Sequence, residues 1–211
     1  MLTKRQVISR IIKPLVVLLA LLPMIYILLG IFIQDSIFQR WLGADPQKYI
    51  MHQMGLWTLR FLMITLAITP LRKWFNFTSL ILFRRMFGLF SMFYATLHLL
   101  TYYVLYLDGN IANVVEDIIK RPYITVGFTA YLLLVPMAFT STKKMMRRLG
   151  KNWQKLHRSI YIVVLLGVIH FIWQVKSDLN EPVMYLLIIM LLLIVRVKWG
   201  KLFSFNTVKS E

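Results

Sequence analysis

The chain has 211 residues, of which 59% are hydrophobic and 16% charged, and its mean hydropathy is +0.67; soluble domains run at about 45–50% apolar and about 25% charged. It contains no cysteine, which excludes disulfides, thiolate–metal sites, iron–sulfur clusters and covalent c-type heme attachment. The net charge of +17 would suit nucleic acid, but the bases lie between apolar runs rather than on a soluble face, so anionic lipid headgroups are the expected partners and nucleic acid is not.

Taken in chain order, six runs are long enough for a bilayer crossing, which needs about 20 apolar residues. They cover 14–33, 53–71, 86–107, 122–140, 159–175 and 182–197. The expectation is one all-α domain over 1–211, a polytopic membrane helix bundle with six transmembrane helices. Lys4, Arg5, Arg10 and Lys13 precede the first run as they would in a signal peptide. Its apolar stretch exceeds a signal core of about 7–15 residues and no small-residue cleavage site follows, so it reads as a retained anchor.

The bases set the orientation. Four stand before the first run, four between the second and third (Arg72, Lys73, Arg84, Arg85), seven between the fourth and fifth (143–158), and Arg196, Lys198, Lys201 and Lys209 at the end. The alternate loops hold only Arg40, Lys48, Lys120, Arg121 and Lys176, and seven of the eight acids. Lys and Arg accumulate on the cytoplasmic side, which predicts both ends inside. Segment 109–121, with Ile111, Val114, Val115, Ile118 and Ile119, reads as a short amphipathic outer helix ended by Pro122. No internal repeat is evident.

An ionisable residue inside a span is a functional candidate. Counting outward from Arg85 at 1.5 Å per residue places His98 ~20 Å up, and counting from Arg158 places His170 ~18 Å up. Two neutral imidazoles at one level on different helices can ligate one heme iron from both sides. Ala95 and Gly167 each lie three residues before their histidine, on the same helical face, leaving room for a flat macrocycle. Tyr94, Thr101 and Tyr102 share the His98 face. Arg60 also lies ~18 Å up; it either pairs with a heme propionate or snorkels outward. His157 stands at the cytoplasmic rim and His52 at the outer rim, where each is either a solvated interfacial residue or a cofactor contact. A lone membrane histidine also commonly hydrogen-bonds between helices.

The 12-residue spacing between His157 and His170, with His98 on an earlier span, resembles the ferric-reductase-like transmembrane domain shared with NADPH oxidases. The stretches WLGADP (41–46), ATLHL (95–99), RPYITVG (121–127), AFTST (138–142) and LGKNWQKLH (149–157) resemble, more narrowly, the MsrQ family of heme-binding membrane subunits. The resemblance implies b-type heme and FMN, and an electron-transfer subunit in the bacterial inner membrane. It further implies electrons from the quinone pool or a cytoplasmic flavin reductase. These pass to a periplasmic molybdopterin partner that reduces methionine sulfoxide in oxidised proteins, so catalysis falls to the partner. His98 and His170 match the heme-ligand positions and His157 a third histidine of the family. Two stacked hemes would need four histidines, but Arg85 and Arg84 stand 13 and 14 residues before His98. No Gly-rich dinucleotide motif occurs, so electrons must arrive from elsewhere. The competing readings are a ferric reductase, a quinol-oxidising cytochrome b with another acceptor, and a small transporter or assembly factor using the histidines and Arg60 as a polar relay.

Overall fold

The computed structural model describes residues 3–33, 37–175 and 178–196. Asp35, Lys176, the end of the sixth run at Val197, and Lys198, Lys201 and Lys209 lie outside the described residues. Among those described, the regular structure is all helical. A π-helical turn (Ile8–Ile12) leads into α1 (Lys13–Phe32), followed by α2 (Ile37–Trp41), α3 (Pro46–Phe75), α4 (Ile81–Leu105) and α5 (Ile111–Lys120). Then come α6 (Pro122–Phe139), α7 (Lys143–Leu149), α8 (Lys151–His157), α9 (Ile160–Gln174) and α10 (Asn180–Ile194).

Five helical stretches are long and apolar enough to cross a membrane: Ile8–Phe32, Pro46–Phe75, Thr78–Leu105, Pro122–Phe139 and Lys151–Gln174. The chain is therefore a multi-pass membrane protein. The sixth expected span corresponds to α10, which is apolar but has only 15 described residues, about 22 Å of helix against a hydrocarbon core of about 30 Å.

Local chemistry sets the boundaries. The Asp45 carboxylate accepts a hydrogen bond from the Lys48 backbone N–H at 3.0 Å, and Pro46 occupies the first turn, a favoured helix start. Helix α3 thus begins seven residues before the apolar run at 53, which Gln47 and Lys48 conceal from a hydropathy reading. It ends at Asn76, which adopts the left-handed conformation (φ 53°) of a helix stop. At the outer helix the Asn110 side chain caps Ala112 N–H at 2.9 Å, Arg121 is extended, and Pro122 opens α6.

Two helical hairpins form the frame. Helices α3 and α4 pack along their lengths, and α9 packs likewise on α6. Leu62, Leu66, Val164, Val168 and Ile189 are buried where these pairs and α10 meet. The first helix joins from outside: the buried Tyr94 hydroxyl on α4 donates to the Ala20 carbonyl on α1 at 2.7 Å. Leu15, Leu18 and Leu22 of α1 point outward, as a lipid-facing surface requires.

The hairpins share a register that the linear sequence hides. Asp45 and Asp117, Lys48 and Lys120, Gly55 and Gly127, and His98 and His170 are each 72 positions apart. The expectation of no internal repeat is therefore revised at the level of structure.

Candidate functional site

Each hairpin contributes one histidine in the same way. The His98 Nδ1 on α4 bonds the Met51 carbonyl on α3 at 2.9 Å. The His170 Nδ1 on α9 bonds the Tyr123 carbonyl on α6 at 2.7 Å. A carbonyl only accepts, so both Nδ1 atoms carry the proton and both Nε2 lone pairs remain available, the arrangement that orients metal-binding imidazoles.

The glycines explain how the rings reach those carbonyls. In each hairpin the accepting carbonyl lies four residues before a glycine, Met51 before Gly55 and Tyr123 before Gly127. A Cβ on Gly127 would come within 2.7 Å of His170 Nδ1, and one on Gly55 within 3.2 Å of His98 Nδ1 and Cε1. The missing side chains let each imidazole lie against the neighbouring helix. Sequence reasoning passed over Gly55 and Gly127; the available signal was a glycine in the middle of an apolar span, where small residues permit close approach.

The two rings stand with centroids 6.2 Å apart and planes at 78°. Two imidazoles ligating one ion from opposite sides put their centroids at about 6.3 Å, given a metal–nitrogen bond of about 2.0–2.1 Å. Both line an apolar cavity of about 240 Å³, together with Ala95, Gly127 and Gly167. The Cβ of an alanine at Gly167 would meet only Leu59, at 3.9 Å, so its contribution is a smooth cavity wall. Among the described residues no group of three or more His, Asp or Glu is placed to hold a metal ion. Two imidazoles without a third protein ligand would suit a metal whose remaining positions a macrocycle fills, and the residues present fit a b-type heme.

The other expected residues fall elsewhere. Arg60 does not line the histidine cavity. Its Nε donates to the Tyr185 hydroxyl at 2.7 Å and its guanidinium lies 4.7 Å from the Trp57 ring centroid. The charged side chain lining the cavity is Arg121. Its Nε pairs with Asp117 at 3.0 Å. A hydrogen bond with Tyr123 and the charge of Asp117 raise its pKa above the ordinary arginine value. Tyr102 reaches the same cavity and donates to Asp117, pinning α5 over the opening. Tyr94 is committed to α1, and the Thr101 hydroxyl bonds the His98 carbonyl at 2.9 Å.

His157 lines a separate cavity of about 510 Å³, on the side that the basic residues predict to be inner, with Arg84, Arg85, Trp153 and Arg158. Its ring stacks on Trp153 (3.9 Å, 25°), its Nδ1 bonds the Trp153 carbonyl at 3.1 Å, and its Nε2 is buried without a partner. In the repeat register the counterpart of His157 is Arg85, again 72 positions earlier. His52 packs edge-on against Phe171, with ring centroids 5.5 Å apart.

The paired histidines on two helical hairpins define a membrane protein of the ferric-reductase-like class. The family described as "Ferric reductase like transmembrane component" matches residues 14–168. The protein-methionine-sulfoxide reductase heme-binding subunit MsrQ of Xanthomonas campestris pv. campestris (strain B100) is 56% identical over 166 residues, 79% of this chain and 76% of the relative. That of Xanthomonas oryzae pv. oryzae (strain MAFF 311018) is 55% identical over the same shares. That of Herminiimonas arsenicoxydans is 47% identical over 164 residues, 75% and 74% of the two chains. No solved structure matches. The chain belongs to the MsrQ family of ferric-reductase-like transmembrane proteins.

Proposed function

We propose that this chain is the heme b electron-transfer subunit of a methionine-sulfoxide reductase system in the bacterial inner membrane. In this reading it crosses six times with both ends in the cytoplasm, as the inward concentration of Lys and Arg supports. Electrons come from the quinone pool, or from a cytoplasmic flavin reductase. They pass to a periplasmic molybdopterin subunit that repairs oxidised methionine. The observation that carries the reading is the imidazole pair, each ring fixed by a backbone carbonyl and each keeping its Nε2 lone pair in one apolar cavity.

When bound, heme supplies one-electron chemistry, and the protein sets ligation, burial and orientation. His98 and His170 would hold the heme through their Nε2 atoms, and the group so held would supply one-electron transfer. Met51 and Tyr123 carbonyls fix the rings and raise their basicity. Arg121 supplies the cation for a propionate at the outer mouth, the role the sequence suggested for Arg60. The apolar walls keep water from the site, and the helices hold the ligand rings rigid, so little rearrangement accompanies a change of charge.

FMN is assigned to the inner cavity. Arg84 and Arg85 suit its phosphate, the Trp153–His157 stack its ring, and the partnerless His157 Nε2 a polar edge.

The test is the spectrum of purified protein. A Soret band and a sharp reduced α band are expected, abolished by His98→Ala or His170→Ala and retained in His52→Ala. Colourless protein from heme-sufficient cells would sink the reading. Arg84→Gln should release flavin and leave the heme spectrum intact.

A further inference from the structure

An open cavity of about 380 Å³ lies at the outer end of α3, against the first turn of α10. Asp45, Lys48, His52, Gln53, Arg60 and Glu181 line it. Two carboxylates and two cations leave its wall without net charge, which favours a neutral ligand. Its floor is His52 and Leu56, and the same two residues also line a small void shared with His98 and His170. His52 and Leu56 thus adjoin both the outer cavity and the void beside the histidine pair. The His52 Nε2 is buried and has no hydrogen-bond partner, a costly state that a ligand hydroxyl would relieve.

The repeat register shows that this polarity is not needed to hold the histidines. The counterparts of His52 and Arg60, 72 positions on, are Ile124 and Leu132. The second hairpin presents its histidine without them. A pocket whose His52 and Arg60 have no polar counterpart on the second hairpin, and whose lining adjoins the histidine pair, suits a lipid-soluble carrier of electrons and protons.

We propose that this outer cavity binds the head group of a hydroquinone, with one hydroxyl donating to His52 Nε2 and the other to the Glu181 carboxylate. The inference rests on the quinol-donor reading above and puts electron entry from quinol on the outer side. Oxidation of the bound hydroquinone to quinone breaks two O–H bonds. The protons would pass to His52 and Glu181, and the two electrons would leave one at a time for a b-type heme held by His98 and His170, which passes the first to the reductase subunit before it takes the second. Arg60, held by Tyr185 and Trp57, positions the head group.

Holoprotein in lipid nanodiscs tests this, with ubiquinol-1 as reductant and an azidoquinone as photolabel. His52→Ala and Glu181→Gln should each slow hydroquinone reduction of the heme at least tenfold. Heme content and the dithionite-reduced spectrum should not change. The photolabel should map to α3 and α10 in the wild type and be lost from His52→Ala. Wild-type reduction rates in both variants, or labelling confined to other helices, would overturn the site. Labelling at α3 and α10 of a wild type that hydroquinone cannot reduce would support the site and refute the donor reading.

Discussion

Replacing Gly127 with alanine tests the central claim that a missing side chain sets the ligand geometry. The new Cβ would stand 2.7 Å from His170 Nδ1, 2.9 Å from Cε1 and 3.0 Å from Cγ. Ordinary carbon contacts begin at about 3.5 Å, so the ring must retreat by several tenths of an ångström. Its hydrogen bond to Tyr123, now 2.7 Å, then stretches toward or beyond the useful range. Overpacking of this kind costs about 1–3 kcal/mol and an unmade buried hydrogen bond about 1–3 kcal/mol more. The gain in helix propensity from Gly to Ala, about 1 kcal/mol, offsets only part of this. The helix therefore survives while the ligand moves. The same substitution at Gly55 meets His98 at 3.2 Å, and at Gly167 it meets Leu59 at 3.9 Å. Heme bound per polypeptide, by pyridine hemochrome, should fall severalfold in Gly127→Ala, less in Gly55→Ala, and remain at wild-type level in Gly167→Ala. Full heme content with an unshifted spectrum in Gly127→Ala would refute the argument.

Arg121→Gln should speed heme transfer to apomyoglobin and lower the midpoint potential, because a cation beside the propionates favours the reduced iron; Arg60→Gln should do neither to the same extent. Tyr94→Phe removes the hydroxyl bonded to Ala20 and should cost about 0.5–1.5 kcal/mol of stability, measured by thermal unfolding in detergent, with the heme spectrum unchanged. Arg85→His restores the imidazole that the repeat register pairs with His157 and should add one low-spin heme per chain; unchanged heme stoichiometry would show that the register does not extend to the inner cavity.

Much of this architecture was legible because a bilayer simplifies the reading. Apolar runs located the five helices long enough to cross, and counting from Arg85 and Arg158 brought His98 and His170 to one level before any contact was known. The count failed at Arg60 for a physical reason. Rise per residue gives height along a helix, not the direction a side chain faces. Arg60 shares the level of the histidines yet faces Tyr185 and Trp57, while Arg121, beyond the end of a span, curls over the cavity mouth. The start of α3 was missed because hydropathy ignores the cap that Asp45 and Pro46 provide. The glycines were missed because their role is an absence, visible only once the neighbouring ring is placed.

The repeat register separates what holds the site from what gives it direction. Where the hairpins agree, at Gly55 and Gly127 and at His98 and His170, they build equivalent halves of one clamp. Two equivalent halves hold a flat group but cannot distinguish a donor side from an acceptor side. Direction must come from positions where the halves differ. These are Arg85 against His157 at the inner cavity, His52 and Arg60 against Ile124 and Leu132 at the outer one, and Tyr49 against Arg121 at the cavity mouth. Each difference sets unlike side chains beside a cavity, and at His52 and Arg60 the polar group stands on one hairpin only. Substitutions at the matched positions should accordingly change whether the heme is held. Substitutions at the mismatched ones should change which partners exchange electrons with it.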